Sequence, residues 1–250
     1  MSRVMGRLRQ EPLLWALPGL LLLAAGMPLL KPVFAALFPQ LQRPMYEQDS
    51  FLALLAAHAG LVAASSAAAV LVGVAAGWFV TRSVGREFRP LVEMATAIGQ
   101  TVPPVAVLAV AAPLIGFGAW PALIALALYG VLPVLRGSVA GFESVSPHVL
   151  EAARGQGLTG WQLLRSVEWP LAAPVLLAGV RTSVVINIGT AAIASTVGAR
   201  TLGTPIVIGL SGFNTAYVLQ GAVLAGALAI VTDMAFARLG RHLQRWRDAA

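Results

Sequence analysis

Long apolar runs alternate with short polar connections along most of this chain. Six runs approach or exceed the ~20 apolar residues that a helix needs to cross a bilayer. They cover residues 13–30, 51–80, 94–115, 120–135, 171–197 and 216–236. The pattern predicts an all-α, polytopic membrane protein with about six transmembrane helices.

The third and fourth runs are interrupted by prolines, namely Pro103, Pro104, Pro113, Pro121 and Pro133. A membrane helix tolerates proline where neighbouring helices satisfy the freed backbone groups. We therefore expect these two runs to be packed or to line a cavity. Residues 198–215, which contain glycine and proline, are predicted to form a re-entrant or interfacial turn.

The first apolar run follows a basic segment with Arg3, Arg7 and Arg9. A cleavable signal peptide is the alternative to a membrane span. The run is longer than a usual signal core, and no small-x-small cleavage site directly follows it. We expect an uncleaved span.

Composition and charge agree with a membrane protein. The chain is 58% hydrophobic and 11% charged, with a net charge of +7, whereas a soluble domain has about 25% charged residues. With the N-terminus in the cytoplasm, thirteen of the 17 lysine and arginine residues lie on the cytoplasmic side, which is the usual bias. Both termini are then cytoplasmic.

The positive charges of the chain lie in short loops between the spans rather than on one face, which argues against nucleic-acid binding.

The longest polar interruption is PHVLEAARGQGLTGWQLLRSVEWP, residues 147–170, here called the central loop. It predicts two short helices separated by a glycine break. Ser146 is expected to cap the first helix, with Pro147 at its first position. Thr159 and Gln162 have the spacing of a capping box for the second helix. Two helices that simply lie on the membrane surface are the alternative interpretation.

The sequence of the central loop resembles the EAA loop of ABC importer permeases. Glu151-Ala152-Ala153, Gly157, Val167 and Pro170 fall at the spacing of that motif, and Trp169 departs from its usual leucine. The flanking segments QTVP at 100–103, PLIGFGAWPALIALALYGVLPVLRG and LAGVRTSVVINIGTAAIASTVGA are similar to osmoprotectant permeases, which serve glycine betaine, choline and related compounds. The likeness covers residues 92–233. Arg200 and Thr201 stand where relatives usually have two glycines.

The resemblance implies a MetI-like ABC permease fold in a bacterial cytoplasmic (inner) membrane. It implies a single permease domain over 1–250, with an N-terminal span and loop at 1–50 and a core at 51–250. In this family the central loop docks into an ATPase. Glu151 and Arg154 are then expected to make charged contacts, Ala152 and Ala153 to permit close approach, and Gly157 to permit the turn.

The partners that the resemblance implies are ATP-binding cassette ATPase subunits, a second permease subunit, the same or homologous, and an extracytoplasmic substrate-binding protein, besides membrane lipid. No G-x-x-x-x-G-K-[ST] motif is present, and Lys31 is the only lysine, so the chain has no phosphate-binding loop of that kind. ATP is expected to be used by the separate ATPase, with no cofactor bound by the chain itself. The chain is therefore expected not to be an enzyme.

Polar residues within the spans are candidates for a translocation pathway: Tyr129, Arg181, Asn187, Thr190 and Ser195. Polar side chains in spans also commonly bond between helices, and Arg181 has a structural alternative in an ion pair with Asp233. His58 is expected to be a packing residue. No cluster indicates a metal.

Other functions remain open from sequence. Another small zwitterion or an amino acid is an alternative substrate within the importer class. An ion-coupled secondary carrier needs an intramembrane carboxylate relay, but Asp233 is the only acid well inside a span. A membrane-embedded hydrolase needs a nucleophile–base pair or a metal site, and His58 with Ser65 or Ser66 is only a weak candidate for such a pair. A purely structural membrane scaffold is the remaining alternative.

Overall fold

The computed structural model describes residues 12–244, and the regular secondary structure of this part of the chain is entirely helical. The α-helices are α1 (Leu13–Gly26), α2 (Lys31–Leu37), α3 (Phe51–Val80), α4 (Arg89–Thr101), α5 (Pro104–Ile115), α6 (Ala119–Glu143), α7 (Pro147–Gly155), α8 (Gly160–Leu163), α9 (Trp169–Thr190), α10 (Gly203–Ser211) and α11 (Thr215–Gln244). Short 3₁₀ turns cover Met27–Leu30, Arg86–Phe88 and Ala191–Val197, and a π-helical turn covers Leu164–Glu168.

Five stretches within residues 12–244 are long and apolar enough to cross a membrane. They are Leu13–Leu37, Phe51–Val80, Ala119–Glu143, Gly160–Val197 and Thr215–Gln244. A sixth is possible if the bent pair Arg86–Thr101 and Pro104–Ile115 counts as one span. The prediction of an all-α, polytopic membrane protein with about six membrane helices is confirmed.

The third predicted span is not one straight helix. α4 and α5 meet at a break with an angle of 86°. Val102, the residue after α4, is extended, with φ −70° and ψ 121°, as expected of a residue before proline. Pro103 and Pro104 also remove two backbone donors, so a continuous hydrogen-bond ladder cannot form there.

The fourth span extends beyond its predicted end at residue 135. α6 continues to Glu143, and the extra turns contain Gly137 and Gly141. A side chain at Gly141 would meet the carbonyl oxygen of Ala172 at 2.9 Å, so this part of the helix is held by close packing. Arg136 therefore lies inside a membrane helix rather than in a connection.

The chain divides into two compact units, and α3, α6, α9 and α11 each contribute to both. The first unit comprises Met1–Ala64, Pro104–Leu126 and Asn187–Ala235. Its core joins the first helix, the segment before α3, and α11 through buried side chains that include Met27, Tyr46, Phe51, Leu202 and Leu224. The second unit comprises Ser65–Pro103, Ala127–Ile186 and Phe236–Ala250.

Within the second unit, glycine contacts set the packing of α6. A β-carbon at Gly77 of α3 would lie 2.5 Å from the Ser138 β-carbon, and one at Gly137 would lie 2.7 Å from the α-carbon of Gly179 in α9. Gly73 and Gly77, like Gly137 and Gly141, have the G-x-x-x-G spacing that lets membrane helices approach closely. Because such packing leaves no room for a side chain, α6 is fixed tightly against α3 and α9.

Candidate functional site

The first helix of the central loop, α7, begins at Pro147 as predicted, but Ser146 does not cap it with its side chain. Instead, the Ser146 carbonyl accepts the backbone N–H groups of Val149 at 3.1 Å and Leu150 at 3.3 Å. Pro147 has a pre-set φ and no N–H to satisfy, so the helix starts there without a side-chain cap.

α7 ends in a Schellman motif. Leu158 N–H donates to the Ala153 carbonyl at 3.3 Å, and Gly157 N–H donates to the Arg154 carbonyl at 2.9 Å. Gly157 has φ +85°, a left-handed conformation that glycine adopts without steric cost. Gly157 therefore forms the turn that was predicted for it, and the turn is held by hydrogen bonds between backbone atoms of the central loop.

α8 begins with the predicted capping box. The Thr159 hydroxyl accepts the Gln162 N–H at 3.4 Å, and the Gln162 side-chain oxygen accepts the Thr159 N–H at 2.9 Å. This reciprocal pair satisfies backbone donors at the helix start. The path from α7 into α8 is thus determined by local hydrogen bonds at both of its ends.

One side of the central loop packs on its own protein and another is open. Leu150 and Leu164 contact a cluster formed by Phe142, Val145 and Ala172. Ala153 and Leu163 are also buried, whereas Glu151, Ala152 and Arg154 are exposed. Glu151, Ala152 and Arg154 therefore form a solvent-exposed surface of α7, here called the α7 face.

The end of the central loop is tied to the end of α3 by an ion pair that sequence analysis missed. Arg82 Nη1 donates to Glu168 Oε1 at 3.0 Å, and Arg82 Nη2 donates to Glu168 Oε2 at 2.5 Å. The Glu168 side chain is only 6% exposed. The Arg82 guanidinium lies 5.6 Å from the Trp78 ring centroid and 5.4 Å from that of Phe142.

This arrangement, here called the Arg82 clasp, combines a bidentate pair with two cation–π contacts. Arg82 and Glu168 are 86 residues apart, so no local spacing marks them as partners. The only sequence signal is that each stands at the boundary of an apolar run.

A basic cavity of about 580 Å³ lies beside the central loop. Its lining contains four arginines and two glutamates: Arg82, Arg86, Arg89, Arg154, Glu143 and Glu168. Arg89 is paired with Glu93 at 2.7 Å and with Glu143 at 2.5 Å. The exposed side chains of Arg86 and Arg154 make no ion pair within residues 12–244, so this cavity can receive an acidic group from outside the chain.

The predicted pathway residues fall into both compact units. Tyr129 and Arg181 belong to the second, where Arg181 lines a cavity of about 360 Å³ together with Phe236 and Arg241. Asn187, Thr190 and Ser195 belong to the first unit. Asn187 is fully buried, and the other four are half-buried. Their role in a pathway stays a prediction.

Ser195 has a structural role within the first unit. Its hydroxyl lies 2.9 Å from that of Thr201 and 3.2 Å from that of Thr204, and it donates to the Ala199 carbonyl at 3.1 Å. Gly198, at φ +84°, forms the turn that brings these groups together. Thr201 is buried and accepts the Gly203 N–H at 3.0 Å.

His58 is also buried within the first unit. Its Nε2 lies 2.9 Å from the Ile188 carbonyl oxygen. This hydrogen bond agrees with the predicted packing role, because it ties α3 to α9 through a polar contact.

Comparison with known proteins identifies the chain. Residues 69–245 match the family described as "Binding-protein-dependent transport system inner membrane component". The chain is 40% identical over 186 residues to the osmoprotectant import permease protein OsmY of Salmonella typhimurium, covering 74% of this chain and 79% of that one. It is 45% identical over 140 residues to the glycine betaine/carnitine/choline transport system permease protein OpuCB of Bacillus subtilis, covering 56% of this chain and 64% of that one.

The fold has a counterpart among solved structures. An inward-facing structure of the MetNI methionine ABC transporter superposes with a TM-score of 0.67 at 21% identity, covering 79% of this chain and 99% of that chain. This likeness supports the predicted MetI-like fold, and the family match spans more than half of the sequence. The chain therefore belongs to the inner-membrane permease components of binding-protein-dependent ABC transport systems.

Proposed function

We propose that this permease imports osmoprotectants, small quaternary amines such as glycine betaine and choline, with energy from ATP. Relatives between 38% and 45% identical have names that specify osmoprotectant, glycine betaine, carnitine or choline transport. The family match over residues 69–245 includes the central loop and the spans on both sides of it. These two facts support a shared substrate class.

ATP hydrolysis is assigned to a separate ATPase subunit that docks on the α7 face. The single observation that supports this most directly is the exposure of Glu151, Ala152 and Arg154 on a helix whose opposite side is anchored. Small side chains permit close approach, and charged side chains of both signs select a complementary surface. The adjacent basic cavity offers a second contact for an acidic group.

The loop is built to pass a displacement to two membrane helices. Its local hydrogen bonds make it a preformed unit, and its end continues directly through the π-helical turn into α9. The Arg82 clasp connects the same end to α3. When the ATPases close, a shift of the α7 face therefore moves α9 and the end of α3 together, and ATP binding favours one side of an alternating-access equilibrium.

The remaining partners are a second permease subunit and an extracytoplasmic substrate-binding protein, in a bacterial cytoplasmic membrane with both termini in the cytoplasm. The arginine distribution supports this orientation.

The orientation can be tested with single cysteines, because the chain has no cysteine of its own. In intact cells, a cysteine at exposed Gln48 should react with an impermeant thiol reagent and one at exposed Gln156 should not. The reverse result contradicts the orientation.

Uptake in proteoliposomes tests the proposed function. The permease, ATPase and binding protein are reconstituted, and ATP-dependent uptake of labelled glycine betaine and choline is measured with ATP hydrolysis. Glu151→Ala is expected to reduce ATPase docking and uptake together, while Val149→Ala, an exposed position on the same helix, should leave both unchanged. Failure of the wild type to take up either amine contradicts the substrate assignment, whereas normal docking and uptake in Glu151→Ala contradicts the role of the α7 face.

A further inference from the structure

A cavity of about 540 Å³ in the second compact unit has a small set of polar groups in an otherwise apolar wall. It is bounded by α4, α6 and α9. The polar side chains are Gln100, Arg136 and Thr182, and the apolar lining includes Leu132, Val175 and Ile186. A few convergent polar groups in an apolar concavity are typical of a small-molecule site.

Arg136 differs from the paired arginines of this unit. It lies seven residues before the end of α6, about 10 Å along the axis at the rise of an α-helix. Its side chain is exposed and makes no ion pair or side-chain hydrogen bond with any of residues 12–244. Arg82 and Arg89, by contrast, each bind a carboxylate.

An arginine within a membrane helix is costly unless it faces water or an anion. The position of Arg136 on the wall of the cavity satisfies that requirement. The neighbouring Gly137 packs against Gly179 of α9, which holds the Arg136 backbone rigidly. The planar guanidinium of Arg136 has five N–H donors and no acceptor, so on this cavity wall it can donate two parallel hydrogen bonds to a planar anion.

We propose that Arg136, assisted by Gln100, forms a subsite for the carboxylate of a zwitterionic substrate during its passage through the membrane. This inference rests on the proposed osmoprotectant transport. The guanidinium binds both carboxylate oxygens, and the Gln100 amide can donate a further hydrogen bond. Thr182 donates its hydroxyl proton to the Ala178 carbonyl at 3.0 Å, so its oxygen keeps only acceptor capacity toward a ligand.

The subsite distinguishes among quaternary amines by charge. Glycine betaine and carnitine have a carboxylate that neutralises Arg136, and their methyl groups suit the apolar lining. Choline is a cation without a carboxylate, so the Arg136 charge repels it within a medium of reduced dielectric. The membrane subunit therefore adds its own preference for carboxylate-bearing substrates to that of the binding protein.

Direct binding tests the subsite without the binding protein. Glycine betaine and choline are titrated calorimetrically into the purified permease–ATPase complex. The wild type should bind glycine betaine at least tenfold more tightly than choline, since a charge-assisted bidentate contact is present for one ligand only. Arg136→Gln should abolish that difference, and Arg136→Lys should retain part of it. Arg43→Gln, which removes an exposed arginine outside the cavity, is the matched control.

Uptake by the full reconstituted system gives the second readout, with permease abundance recorded for each variant. Arg136→Gln is expected to lower glycine betaine uptake about tenfold relative to choline uptake. An equal loss for both amines, or no change for either, overturns the subsite and assigns Arg136 to structure or to lipid headgroup contact. Because wild-type uptake of the two amines is measured in the same experiment, failure of the substrate assignment is recognised separately.

Discussion

The polar connection at residues 38–50 and the central loop differ in the hydrogen bonds that stabilise their conformations. In the first, Pro44, Met45 and Tyr46 are buried. The Gln220 side chain accepts the Tyr46 N–H at 3.0 Å and donates to the Pro44 carbonyl at 2.7 Å. The connection thus depends on a residue of α11 that is 174 positions away in sequence.

The central loop instead depends largely on neighbouring residues. A Schellman motif and a capping box determine its path, and residues such as Glu151 and Arg154 stay exposed. A loop whose backbone N–H and C=O groups are hydrogen-bonded within the loop does not need partners from the rest of the protein. The difference agrees with a stabilising role for the 38–50 connection and with the proposed role of the central loop as the surface on which the ATPase docks.

Gln220→Ala should have the largest effect on stability. It leaves the buried Tyr46 N–H and Pro44 carbonyl without partners and opens a cavity, at a cost of roughly 4 kcal/mol. Thermal unfolding of the detergent-purified permease should show a large loss of stability, and uptake should fall in proportion to the folded protein. A variant of normal stability that has lost transport contradicts the structural role of this connection.

Glu168→Ala should cost about 3 kcal/mol, because it leaves Arg82 partly buried without its carboxylate. The double variant Arg82→Leu/Glu168→Leu should recover much of that stability, since neither charge remains. We expect the double variant to fold but to couple poorly, as ATP hydrolysis measured with uptake would show. Full transport by the double variant contradicts a positioning role for the Arg82 clasp.

Gly157→Ala should cost about 1–2 kcal/mol locally, because alanine is strained at φ +85°. Gly155→Ala is the matched control, since Gly155 ends α7 with open space around it and without a positive φ. The first variant should lower uptake per ATP hydrolysed with little loss of overall stability, and the second should behave as wild type. Equal behaviour of the two variants argues that the left-handed turn is not needed for coupling.

Thr159→Ala should have the smallest effect, about 1 kcal/mol, through loss of one side of the capping box. Thr159→Ser preserves the hydroxyl and serves as the control. The change is expected to raise hydrogen exchange in α8 without altering thermal stability of the whole permease. A global loss of stability would show that α8 is coupled to the core more strongly than its exposed capping box indicates.

Most features encoded within a few residues could be predicted from sequence, with the side-chain cap expected of Ser146 as the exception, and those formed between distant residues could not. The capping box and the turn at Gly157 follow from local spacing and residue type. The Arg82 clasp and the contacts of Gln220 join residues far apart, so nothing in either neighbourhood identifies the partner. The break between α4 and α5 was not predicted, because hydropathy does not register the backbone limits of Pro103 and Pro104, although these prolines were visible in the sequence.

Protection of a single cysteine at Ala152 tests the α7 face most directly. Because the chain lacks cysteine, the maleimide reaction rates of Ala152→Cys and Gln48→Cys can be compared with and without the ATPase subunit. Both positions are exposed. If the ATPase docks on the α7 face, the rate at Ala152 should fall at least tenfold while the rate at Gln48 stays unchanged. An unchanged rate at Ala152 in a complex that retains the ATPase would contradict the account.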